Sequence, residues 1–350
     1  MMCQVRIRQI SQDVMVGDEA SAARRALEIS YPMEEGKIKN WDDMEVLWDY
    51  TFNDRLRTAT KGKSIVLTEP PGNAKASRQK VLQYMFEKYE MDSVSLNVQA
   101  MLTLYGIGSV TGLVVDSGDG VTHIVCVADG YVPRHLVTRL DVAGRHVTEY
   151  LAKLMLLRGY AFNSTADFAT VQEIKEKYCY VAKDPTRERK LALDTTVLLE
   201  KFKLPDGQDI KIERERFEAP EALFNPSLID VERPGLSEMV FQTIQRADID
   251  QRRLYYQNIV LSGGSTMYPG LPTRLEHDIV RMYSDRIAKG NTRIVEDMAI
   301  TIKDPPKRKH IVFNGAALVG DMLKTNPDFW ITKAQYEEEG ERVLDKYRTL

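Results

Sequence analysis

Cysteine is scarce in this chain: Cys3, Cys126 and Cys179 are the only ones among 350 residues. They are too few and too far apart for a zinc knuckle or a disulfide framework. The apolar patterns around the latter two predict buried thiols, and a reducing compartment. Neither sign of charge is in excess, since 48 basic and 51 acidic residues leave a formal net charge of -3. A chain so balanced lacks the basic surplus of a nucleic-acid binder, and no nucleic-acid partner is expected. Long apolar runs are missing as well. No stretch approaches the ~18 residues of a membrane span. The start, "MMCQVRIRQISQD", has no continuous apolar region of the kind a signal peptide needs. The expectation is a cytoplasmic protein with no membrane partner, which leaves little weight to the glycosylation-type match at Asn163-Ser164-Thr165.

Several catalytic signatures are absent too. There is no G-x-x-x-x-G-K-[ST], which excludes a P-loop NTPase, and no H-E-x-x-H, C-x-x-C or G-x-S-x-G. "YGIGSVTG" resembles a dinucleotide fingerprint, but its third glycine is one residue late and it follows a helical pattern instead of a strand.

What is present reads as an α/β protein, long enough for two cores of ~100–200 residues each. "NWDDMEVLWDYTF" pairs an N-cap, Asn40, with apolar residues at helical spacing. A strand "SIVLTEPP" follows, stopped by two prolines, and then a helix from about Ser77 to Tyr89. "VSLNVQAMLTLYG" turns from strand into helix near Gln99. Downstream, helices are expected from about Gly144 to Arg158 and over "TADFATVQEIKEKYCYV", and "FWITKAQY" carries a capping box, Thr332 with Gln335. Strand alternating with helix predicts a mainly parallel or mixed sheet.

Two glycine-rich turns carry the chemistry. "VVDSGDGVTHIV" reads as a hairpin bent at Asp119-Gly120, and "NIVLSGGSTMYPG" as a strand running into Gly263-Gly264 and then a helix. Glycine lets backbone N–H groups approach an anion closely, which suits a phosphate. Carboxylates repel phosphate unless a hard cation lies between them, so Asp116 and Asp119 suggest a metal–nucleotide site. The plainer readings stand beside this one. Asp-Gly is a common hairpin turn, Asp116 could cap a strand end, Lys175-Glu176 could be a solvated pair, and "PPKRKH" reads as a surface turn.

Taken in order, "VVDSGDGVTHIV", "LDVAGRHVTEYL", "IKEKYCYV", "ERFEAPEALFNP", "IVLSGGSTMYPGLPTRL" and "FWITKAQY" resemble the actin family, from Val14 to Tyr347. "LTEPPGN", "LLRGYAFNSTADF", "LPDGQDIKI" and the segment Tyr283–Met298 are more similar to actin-related proteins than to conventional actins. The resemblance implies the two-lobed actin-like α/β fold of the actin/hexokinase/Hsp70 ATPase superfamily, with a nucleotide cleft between lobes. The first lobe would span 1–106 plus 310–350, and the second 107–309, with its outer subdomain at about 143–231.

The resemblance also implies ATP with Mg²⁺ or Ca²⁺. "DSGDG" is similar to the family's second phosphate hairpin: Asp116 would hold the cation through water, while Ser117, Gly118, Asp119 and Gly120 would meet phosphates and ribose. Gly144, Lys175 and Glu176 match the ribose and adenine side; Gly263, Gly264, Ser265, Met267 and Tyr268 match the base-proximal turn; Lys309 matches an adenine-flanking lysine. Gln99 and His123 would order the attacking water, with Asp116 completing the catalytic set. None of these is a strong base at the reacting centre, so hydrolysis would be slow and would serve as a switch. Implied partners are a second actin-like subunit, actin and nucleation-promoting factors. Tyr105, Gly106 and Tyr131 match the family's filament-end face, although aromatic packing at a hinge explains them equally well.

In one respect the sequence departs from the family. Its members open with a "DNGTG"-like phosphate loop well before the "VGDEA" segment, whereas here "MVGDEA" begins at Met15. The first lobe is therefore expected to be incomplete at its N-terminus and nucleotide binding to be weakened. A small-molecule kinase of the same superfamily and a truncated, nucleotide-free scaffold remain as alternative readings.

Overall fold

The computed structural model describes residues 6–8, 14–23, 28–34, 36–162, 165–204 and 207–347. Cys3 and the Asn163-Ser164 pair lie outside them. The chain divides into two units, one made of residues 1–111, 125–137 and 310–350, the other of 112–124 and 138–309.

In the first unit, strands Ser64–Glu69 and Ser93–Val98 pair in parallel, with Ile65 beside Val94 and Glu69 beside Val98. Ile331–Thr332 adds an antiparallel strand on the other side of Ser93–Val98. Leu82, Met85, Phe86, Val94 and Ile331 form the core over this sheet. The alternating apolar residues of the strands thus bury one face under an amphipathic helix, as elementary patterning requires. Helix Trp41–Asp49 begins where expected: the Asn40 side-chain oxygen accepts from the N–H groups of Asp42 and Asp43 at 3.1 and 3.2 Å. A three-stranded antiparallel sheet places Arg6–Arg8 between Val14–Val16 and Glu28–Ser30. Strand Ser93–Val98 runs directly into helix Gln99–Gly106, the turn from strand to helix that the sequence predicts.

The second unit holds most of a five-stranded sheet in the order Val137–Leu140, Thr122–Val127, Gly112–Ser117, Ile259–Ser262, Ile302–Lys303. Its central strands, "GLVVDS" and "IVLS", are almost wholly buried. Such apolar runs mark strands covered on both faces. Ile259–Ser262 runs parallel to Gly112–Ser117 in a register that sets Ser262 beside Asp116. The carboxyl ends of two neighbouring parallel strands therefore release their loops at one edge of the sheet, the position at which open α/β sheets bind ligands. Helix Ile249–Gln257 packs on strand Gly112–Ser117 and helix Leu271–Tyr283 on Ile302–Lys303, and Leu271–Tyr283 packs in turn on Leu236–Arg246; helices Gly144–Leu157 and Thr165–Tyr178 pack on each other.

A buried ion cluster braces this unit. The Arg274 guanidinium donates to both carboxylate oxygens of Glu221 (3.0 and 3.1 Å) and to Asp278 (2.8 Å). Among the described residues no helix is long and apolar enough to cross a membrane.

Candidate nucleotide site

The first glycine turn, Gly118–Val121, joins strands Gly112–Ser117 and Thr122–Val127 and is closed by the Gly118 N–H donating to the Val121 carbonyl at 3.1 Å. Behind it, the hydroxyls of Ser117 and Thr122 share a 2.7 Å hydrogen bond, and Thr122 donates to the Val142 carbonyl at 2.8 Å. The turn is thus held from the strand side. The amides of Asp119 and Gly120 donate to no backbone carbonyl among the described residues.

Helix Gly144–Leu157 starts against this turn. The Gly144 N–H donates to the Gly118 carbonyl at 3.1 Å and the Arg145 N–H to the Asp119 carbonyl at 2.8 Å. A Cβ at Gly144 would lie 2.6 Å from the Ser265 hydroxyl, which would have to turn away, and 3.2 Å from the Gly118 carbonyl. The exposed Asp119 carboxylate faces the Arg145 guanidinium at 3.4 Å, a partner that sequence spacing does not reveal.

The second turn follows Ile259–Ser262. Gly263 has φ +89, and a Cβ on it would lie 2.2 Å from the Ser117 carbonyl and 2.9 Å from an Asp116 carboxylate oxygen. Close approach of the two strand ends is the reason for glycine here. Ser265 then reaches back, its hydroxyl donating to the Gly118 carbonyl at 2.6 Å. A Cβ at Gly264 would meet nothing within 4 Å, so this backbone borders open space. The Gly263 N–H donates to the Arg308 carbonyl at 3.2 Å, and the buried Arg308 guanidinium donates to the Thr266 hydroxyl and carbonyl. The surface-turn reading of "PPKRKH" therefore fails at Arg308, which is a brace; Lys309, which follows it directly, is exposed.

Lys175 corrects a second plain reading. It is buried, not solvated, and its ammonium donates to the Gly144 carbonyl at 2.9 Å, whereas Glu176 is exposed. Burial pushes the Lys175 pKa down, with Asp119 and Glu176 pulling the other way. Tyr268 is buried close to the same charges: burial, then Cys179, Glu176 and Asp119, raise its phenol well above the usual range. Its hydroxyl has no hydrogen-bond partner among the described residues. A buried, unpartnered phenol is costly unless something answers it. Met267, beside it, is 40% exposed.

Asp116 sits at the end of its strand, half-buried. Burial raises its carboxyl pKa, and a hydrogen bond with Ser262 opposes the shift. His123 lies in the neighbouring strand and is buried; burial, helped by Arg139 and resisted by Asp141, pushes its pKa down to about 4. The imidazole is therefore neutral at pH 7. Gln99 belongs to the first unit, where it opens its helix half-buried and its carbonyl accepts from the Thr103 hydroxyl at 3.0 Å. The second unit thus brings together Asp116, Ser117, Gly118, Asp119, Gly120, Gly144, Lys175, Glu176, Gly263, Gly264, Ser265, Met267, Tyr268 and Lys309, and leaves Gln99 outside that group.

The donor set fits a nucleotide with its cation. Two glycine turns at adjacent strand ends offer backbone N–H groups, Asp116 offers one carboxylate, and Tyr268 brings a buried hydroxyl without a partner among the described residues. Among the described residues no group of three or more His, Cys, Asp or Glu side chains could hold a metal ion. A divalent cation here would rest on Asp116, water and phosphate oxygens, as Mg²⁺ commonly does.

The family profile "Actin" matches residues 1–349. Actin-related protein 2 of Acanthamoeba castellanii is 55% identical over 335 residues, covering 96% of this chain and 86% of its own. Actin-related protein 2 of Drosophila melanogaster is 53% identical over 339 residues (97% and 85%), and that of Arabidopsis thaliana 51% over 340 (97% and 87%). With the whole α/β chain matched and the strand-end turns in place, this chain belongs to the actin family.

Proposed function

We propose that this chain acts as an actin-related protein 2: a subunit of the actin-related protein 2/3 complex that pairs with actin-related protein 3 and the other subunits to template branched actin filaments. The observation that supports this most is the 51–55% identity to proteins of that name from an amoeba, a fly and a plant, over 96–97% of the chain. Such a protein works in the cytoskeleton, and nucleation-promoting factors and actin are its further partners.

ATP with Mg²⁺ (or Ca²⁺) is its ligand, and bound nucleotide would supply charge at the strand ends that biases the geometry of assembly. Asp116 holds the cation through water. The Gly118–Gly120 backbone meets phosphates, Gly144, Lys175, Glu176, Met267, Tyr268 and Lys309 surround ribose and base, and Ser265 holds the first turn in place. His123, neutral at pH 7, and Gln99 orient water rather than remove protons, so turnover is slow.

Assembly provides the test. Co-expressed with actin-related protein 3 and the other subunits, the chain should copurify in one complex that accelerates pyrene-actin polymerisation when a nucleation-promoting factor is added. The chain by itself should leave polymerisation unchanged. Robust nucleation by the isolated chain, or failure to enter the complex, would overturn the proposal.

A further inference from the structure

Away from the glycine turns, the second unit carries an open groove of about 470 Å³ bordered by Arg139, Arg233 and Arg246, with Gln242 and Gln245 between them. The arginines come from three segments: strand Val137–Leu140, the loop before helix Leu236–Arg246, and the end of that helix. Arg139 is paired with Asp141 at 2.6 Å. Arg246 donates only to the hydroxyls of Thr138 and Thr243, and Arg233 is exposed; neither has a carboxylate partner among the described residues. Arg252 stands next to them, donating to both oxygens of Gln245. The nearest acid on the helix, Glu238, is already held by both amino groups of Arg286, at 2.6 and 2.8 Å. The groove therefore carries a surplus of fixed positive charge on a chain whose net charge is -3.

We infer that this groove binds an acidic polypeptide segment. Guanidinium groups form forked bonds with carboxylates, and the side-chain amides of Gln242 and Gln245 can serve a peptide backbone. Arg139 is held by Asp141 and Arg246 by the Thr138 and Thr243 hydroxyls, while Arg233 stands in the loop before the helix, so the three are anchored at separate places along the groove. That spacing fits charges spread along an extended chain better than a single phosphate. Phe241 beneath the groove is buried, so no exposed ring is offered for stacking nucleic-acid bases. With Arg139 neutralised by Asp141, the three arginines that remain fall short of the 4–8 clustered cations that typically hold a protein to an anionic membrane.

The test is fluorescence anisotropy with the full chain and a short labelled peptide rich in Asp and Glu, beside the same peptide carrying Asn and Gln. The acidic peptide should bind and weaken as salt rises, and the neutral peptide should not bind. Arg233→Glu and Arg246→Glu should each weaken binding roughly two- to fivefold and together about tenfold, with Arg233→Gln and Arg246→Gln showing smaller losses in the same direction. Lys190→Glu, an exposed change on helix Pro185–Asp194, should have no effect. Equal binding of the neutral peptide, or indifference to the arginine changes, would overturn the inference. So would phosphatidylserine vesicles or inorganic phosphate occupying the same arginines more tightly than the peptide.

Discussion

Gly263 has the least freedom to change of any residue in the candidate site. Its positive φ and the 2.2 Å approach of a Cβ to the Ser117 carbonyl combine a strained backbone with a clash against main chain, which cannot move without separating the two strands. Gly263→Ala should cost about 2–4 kcal/mol and lower the urea midpoint. A midpoint equal to that of the wild type would show that the strands part easily. His123 gives a second prediction at this scale. Its pKa of about 4 when folded, against 6.5 unfolded, means that the unfolded chain binds more protons between those values. Stability must therefore fall as pH drops from about 6.5 toward 4, by on the order of 3 kcal/mol for this group. The raised carboxyls of Asp116 and Glu221 act in the opposite sense, so the informative quantity is the difference between wild type and His123→Gln. Urea midpoints at pH 7 and pH 5 should fall further in the wild type. Parallel losses would show that His123 is not the group responsible.

At the scale of elements, local signals were the legible ones. Asn40 caps its helix, and Thr332 and Gln335 form a reciprocal capping box at 3.1 and 3.3 Å, because caps depend on neighbours within one turn. Thr332→Ala should cost about 1 kcal/mol, read as a lower melting temperature. The loss should exceed that of an exposed helix-surface change, since Ile331, beside the cap, pairs with Val94 in the sheet. Lys175 shows how such reading fails. It lies four residues after Val171 and three before Tyr178, on the side that turns inward, but its charge suggested the outer face. A buried carbonyl acceptor on another helix cannot be seen from spacing. Arg308 was missed for the same reason, since its acceptors at Thr266 are 42 residues away in the chain.

Across the whole molecule, the placement of the site depends on pairings that no local pattern encodes. The Ser265–Gly118 hydrogen bond joins residues 147 apart, and it exists because Ser262 is registered beside Asp116. Hydrophobic runs predict that the two strands are buried but not that they are neighbours. The order of the long motifs carried the resemblance to the actin family, which the family match bears out, and the pairing itself is seen in the register of the two strands. The central claim is that these paired strand ends carry Mg²⁺–ATP, with Asp116 as the one carboxylate facing the cation. Calorimetric titration of the purified chain with ATP, with Mg²⁺ and with EDTA, tests it most directly when repeated on Asp116→Asn, which keeps the side chain's shape and removes its charge. The account predicts that Mg²⁺ tightens ATP binding in the wild type and that Asp116→Asn loses at least about tenfold of that gain, roughly 1.4 kcal/mol, with a melting temperature no lower than that of the wild type. Wild-type affinity for Mg²⁺–ATP in Asp116→Asn would contradict it.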